Sequence, residues 1–170
     1  ELLEKTTGGR GAVFLAASTG EMGIDTARYE DAGKRAHDAG VPVTVHAEDA
    51  TLFDESVRDR TDADAWSAYR TAEAEMRAIE HACGVAERLG STVHIAHTST
   101  PEGVDIAADA GMTCEVSPHH LFLSRDDLDE LGTFGRMNPT LRSEDRRVGM
   151  FWRLVEGDID IVATDHAPHT

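Results

Sequence analysis

Five times over, a short apolar run gives way to a helical stretch, and the apolar runs break into polar residues toward their C-terminal ends. The runs are Ala12–Ala17, Val41–Glu48, Thr92–His97, Met112–Val116 and Ile159–Thr164. The intervals predict helices over Thr26–Ala39, Asp64–Leu89, Pro101–Ala110, Ser124–Leu131 and Ser143–Val155, with glycine stops at Gly40, Gly90 and Gly111. This alternation predicts an α/β fold, a parallel sheet joined by helical crossovers. A doubly wound sheet and a (β/α)8 barrel both bind at the C-terminal edge of their strands. Only closure into a barrel makes several strand ends converge, and no GxGxxG follows a strand to mark a dinucleotide sheet. Five strands are too few to close a barrel of eight. The expectation is therefore a partial (β/α)8 TIM-type barrel, with residues 1–170 as a single incomplete domain holding about strands 4 to 8 and lacking the first strands and the C-terminal end.

Composition narrows the function classes. A chain of 170 residues, 40% hydrophobic, can bury a real core. No apolar run reaches the ~18–20 residues of a membrane span, and no signal peptide opens the chain. The start at Glu1, without methionine, suggests a fragment. Acidic residues number 32 against 16 lysines and arginines, a net charge of −16. That balance argues against a nucleic-acid partner, which needs a basic face. It fits either an ordinary acidic surface or adaptation to high salt, where self-repulsion is screened. Cys83 and Cys114 lie outside any CxxC pattern and are expected to be buried thiols in a reducing cytoplasm. The expected partner is a small-molecule substrate, with no membrane and no nucleic acid; a homo-oligomer is left open.

The strand ends carry the candidate chemistry. His46 closes the second run and Asp165 the last. His94 and His97 are three apart, so on a regular strand they face opposite sides. His97, nearer the C-terminal end, is the better ligand, with His94 packed or hydrogen-bonded behind it. Two histidines and a carboxylate on three strand ends suit Zn2+ or a similar borderline metal, although nine histidines could also scatter there by chance. Such a site performs hydrolysis, with Asp165 accepting the proton of water and returning it to a leaving nitrogen. His119, His120, Asn138 and His169 form a second tier, in loops beside prolines, suited to holding a substrate or idle.

In order and spacing, VHAED, HIAHTST, CEVSPHHLFLS, MNPTLR and ATDHAPH resemble the dihydroorotases of the cyclic amidohydrolase superfamily, from about Gly11 to Thr170. Hydantoinases and allantoinases share the fold but diverge in CEVSPHHLFLS and DHAPH. The resemblance implies a metal-dependent amidohydrolase barrel that interconverts N-carbamoyl-L-aspartate and dihydroorotate in pyrimidine biosynthesis. It implies His46, His97 and Asp165 as metal ligands, Asp165 as catalytic proton shuttle, Asn138 and His169 as substrate contacts, and Glu115 and His120 as supporting residues. The family's His-x-His pair is absent from this chain, and no lysine lies near GAVFLAASTGEM, where Glu21 is the nearest acid. One or two Zn2+ ions are implied, the second depending on Glu21 or on residues outside the chain. The chain alone is expected to lack turnover. A hydantoinase-like or allantoinase-like enzyme and a non-catalytic scaffold are the alternatives.

Overall fold

The structure, a computed structural model, describes residues 13–16 and 26–166. Among them, five strands form one sheet in sequential order, every neighbouring pair parallel. The strands are β1 (Val13–Ala16), β2 (Val43–His46), β3 (Val93–Ile95), β4 (Thr113–Val116) and β5 (Ile161–Val162). The connections carry α1 (Thr26–Asp38), α2 (Ala65–Tyr69), α3 (Ala72–Leu89), α4 (Pro101–Asp109), α5 (Pro118–Phe122), α6 (Leu128–Leu131) and α7 (Glu144–Glu156). Sequential parallel order with a helical layer is the pattern expected of consecutive barrel units.

The strands alternate as a sheet covered on one face requires. Val43, Val45, Val93, Ile95, Cys114 and Val116 are buried and pack with Ile79, Val85, Val104 and Met150 of the helices. Thr44, His94 and Glu115 point to the other face and are half-buried. Cys83 and Cys114 are free and buried, and burial pushes their thiols up to about 11 and about 12 respectively. Gly103 lets α4 lie against α3, since a Cβ there would meet Ile79 Cδ1 at 2.7 Å. No helix among the described residues is long and apolar enough to cross a membrane.

Three expectations need correction. The helix predicted over Asp64–Leu89 is two helices. Arg70 leaves helical geometry (φ −89°, ψ 87°) to turn its side chain inward, and Thr71 caps a new helix by accepting from Ala74 N–H at 3.2 Å. The last strand is only Ile161–Val162 of the predicted Ile159–Thr164, with both side chains about half exposed. His119 and His120 lie on a short helix, α5, rather than in a loop, with Pro118 in its first turn.

Candidate active site

The site grows from the C-terminal edge of β2, β3 and β4. His46 is the last residue of β2 and shares a face with Thr44, whose register partner is His94. Strict alternation would send His97 to the opposite face. The backbone of His97 turns left-handed instead (φ 36°), and its ring meets His46 with centroids 4.7 Å apart. The turn is held at its own amide, which donates to Glu115 Oε1 at 3.4 Å. His94 stays behind, bonded to Thr113 Oγ1 at 2.8 Å and Glu115 Oε2 at 3.2 Å. Both histidines thus serve one face, which strand parity alone does not allow.

His46 Nδ1 and His97 Nε2 face each other at 3.1 Å, both rings buried. His46 Nε2 lies 2.8 Å from Glu48 Oε2, and a carboxylate there takes an N–H, which leaves Nδ1 as a lone pair. Two imidazole nitrogens that share a tetrahedral Zn2+ at ~2.0–2.1 Å sit roughly 3.4 Å apart. His97 Nδ1 is buried with no hydrogen-bond partner among the described residues. Burial lowers the proton affinity of His97, the neighbouring His46 lowers it further, and the charges of Asp165 and Glu75 oppose both. Two facing ring nitrogens at this separation, one of them turned into an acceptor by Glu48, fit a borderline divalent cation.

Asp165 is exposed and also left-handed (φ 50°). It lies close enough for its charge to raise the proton affinity of both His97 and His119. Among the described residues, His97 and Asp165 are the two non-glycine positions with positive φ, where side chains are strained. No group of three metal-ligating side chains is assembled among the described residues. The structure therefore joins His46 to His97 directly and brings Asp165 within electrostatic range. His169 and Glu21 lie outside the described residues.

Two buried ion pairs, unanticipated in the sequence, brace this edge. Glu48, fully buried, accepts from Arg70 Nε at 3.1 Å and from Arg70 Nη2 as well as from His46. The Arg70 guanidinium lies 4.7 Å from the Phe53 ring centroid and 5.3 Å from that of Trp66. Glu75 gathers the segment after His97: it accepts from the Ser99 and Thr100 amides at 2.9 and 3.1 Å, from both hydroxyls, and from Arg142 Nη2 at 3.0 Å. Arg142 Nη1 also donates to the Arg70 carbonyl at 2.6 Å, tying the two clusters together. Asn138 is exposed and accepts from Trp66 Nε1 at 3.0 Å.

His120 is buried, its Nε2 donating to the Pro139 carbonyl at 3.1 Å, with Nδ1 unpartnered. Burial first, then the charges of His119, Arg142 and His97, push its pKa well below 6.5, against the pull of the Pro139 carbonyl. The folded pKa is thus below the unfolded one. Below about pH 6.5 the unfolded chain takes up a proton that the fold refuses, so stability falls with falling pH, by about 1.4 kcal/mol per unit for this residue. His120→Gln is expected to flatten that slope by nearly one proton at about pH 5.5 and by almost none at about pH 7.5 in urea titrations. An unchanged slope would mean that His120 is not held neutral.

No family model matches the chain. It is 64% identical over 169 residues to a dihydroorotase from Halobacterium salinarum, a match covering 99% of this chain and 40% of that protein. An allantoinase from Escherichia coli is 31% identical over 171 residues, with 91% of this chain and 38% of that protein covered. The solved D-hydantoinase from Thermus sp. superposes with a TM-score of 0.90 at 22% identity, over 99% of this chain and 40% of that one. The chain spans about two-fifths of the length of the relatives it matches. In sequence the chain is thus similar to two-fifths of a dihydroorotase, and in fold it matches the corresponding part of a hydantoinase.

Proposed function

We propose that the chain supplies part of the active site of a metal-dependent cyclic amide hydrolase, one that interconverts N-carbamoyl-L-aspartate and dihydroorotate in pyrimidine biosynthesis. The observation that carries this reading is the pair of ring nitrogens on His46 and His97, facing each other at 3.1 Å across adjacent strand ends. The 64% identity to a dihydroorotase supports the choice of substrate. His46, His97 and Asp165 hold Zn2+, with a second ion dependent on residues beyond those described. When bound, the ion supplies Lewis-acid chemistry, acidifying water and polarising an amide carbonyl.

The chain's own residues do the rest. Glu48 keeps the proton of His46 on Nε2 and so keeps Nδ1 free to ligate. Asp165 takes the proton of the attacking water and returns it to the leaving nitrogen. Asn138 holds the substrate, with His169 at its carboxylate. Glu115 and His120 support the backbone at His97 and Pro139. The free, buried thiols favour a cytoplasmic setting. The net charge of −16 favours a medium of high salt, where self-repulsion is screened.

The allantoinase relative favours a second reading, hydrolysis of a different cyclic amide. Protein expressed from the complete reading frame and loaded with zinc is expected to turn over dihydroorotate and N-carbamoyl-L-aspartate, and neither allantoin nor hydantoin. Turnover of allantoin alone would establish the second reading. A folded protein that binds no zinc and turns over nothing would be a scaffold.

A further inference from the structure

We propose that Trp66 is a specificity-determining residue, one that fixes the Asn138 amide with its NH2 group outward. The inference rests on the reading of Asn138 as a substrate contact. Trp66 Nε1 stands 3.0 Å from Asn138 Oδ1 and 3.3 Å from the Met137 carbonyl. An indole N–H can only donate, so the atom turned toward it must be the amide oxygen. The NH2 end is then the part of Asn138 left to meet a ligand. Without Trp66 the amide could flip and offer either a donor or an acceptor.

The indole is itself held in place. Its ring lies against the Arg70 guanidinium, with the Tyr69 ring centroid 6.0 Å away. Arg70 is buried and bound to Glu48, which also orients His46. One contiguous set of contacts, His46 to Glu48 to Arg70 to Trp66 to Asn138, therefore sets both the candidate metal ligand and the polarity of the candidate substrate contact. The class of ligand follows. Asn138 is polarised to receive an acceptor oxygen, a carboxylate or a ring carbonyl. An analogue that presents an N–H at that point leaves two donors opposed and is rejected.

Steady-state kinetics with N-carbamoyl-L-aspartate on the enzyme from its complete reading frame test this. Trp66→Phe keeps an aromatic ring against Arg70 and removes the N–H together with the five-membered ring of the indole. It is expected to raise KM about three- to tenfold with kcat within about twofold, the loss of one hydrogen bond's worth of positioning. In an Asn138→Ala background the same change should raise KM no further. Asn138→Asp still accepts from Trp66 but offers no donor, so its KM should rise as far as that of Asn138→Ala. If Asn138→Ala raises KM and Trp66→Phe does not, or if Asn138→Asp binds like the native enzyme, the role given to Trp66 is wrong while the substrate contact stands. If Asn138→Ala leaves KM unchanged, the substrate contact is wrong and the role of Trp66 goes with it.

Discussion

Replacing Arg70 with methionine is expected to lower the free energy of unfolding by about 3–5 kcal/mol, because it leaves the Glu48 carboxylate buried without its main counter-charge. Glu48 is fully buried, and Arg70 and His46 are its hydrogen-bond partners. Burial raises the proton affinity of this carboxyl. Hydrogen bonds from His46 and Arg70 and the charge of Arg70 outweigh that burial and hold its pKa below the ordinary value. Once Arg70 is gone, the group must either stay charged in an apolar setting or take up a proton. Either change shifts His46. Arg70→Lys should recover only part of the loss, since a point charge cannot replace two guanidinium nitrogens on one carboxylate or a flat face against Phe53 and Trp66. Guanidinium titrations of the native protein and both variants measure this. A loss under about 1 kcal/mol for Arg70→Met would mean that the pair is wetter than its burial implies.

A second large effect is expected in catalysis. Asp165→Asn should lower kcat by roughly 10²- to 10⁴-fold, the range over which a positioned acid–base group acts. The amide matches the carboxylate in shape but cannot take a proton from water. Because the substitution is nearly isosteric, KM and zinc content should change little, which separates lost proton transfer from lost substrate or metal binding. A loss in kcat smaller than about tenfold would remove Asp165 from the proton-transfer role and leave it at most a ligand.

The layout of the fold was legible in the sequence because strand-to-helix alternation is a local signal, repeated five times with glycine stops. The meeting of His46 and His97 was legible only in part. Both stand at strand ends, but the parity of a regular strand sends them apart, and the left-handed residue that reunites them has no side-chain signature. The break at Arg70 has a readable sign: Thr71 followed by Glu73 and Glu75 marks a helix start inside an otherwise continuous helical pattern. The pairings of Glu48 with Arg70 and of Glu75 with Arg142 span 22 and 67 residues. No local pattern encodes partners so distant, and an arginine on a helical stretch reads as solvated until the fold encloses it.

The backbone at His97 and Asp165 bears on how such a protein can be hardened. Glycine would sit in either left-handed turn without steric penalty. A directed-evolution campaign rewarding heat resistance alone would therefore drift toward glycine at these two positions, and each gain in melting point would discard an imidazole or an acid. Ruggedness in this chain is best sought elsewhere, on its outer helices.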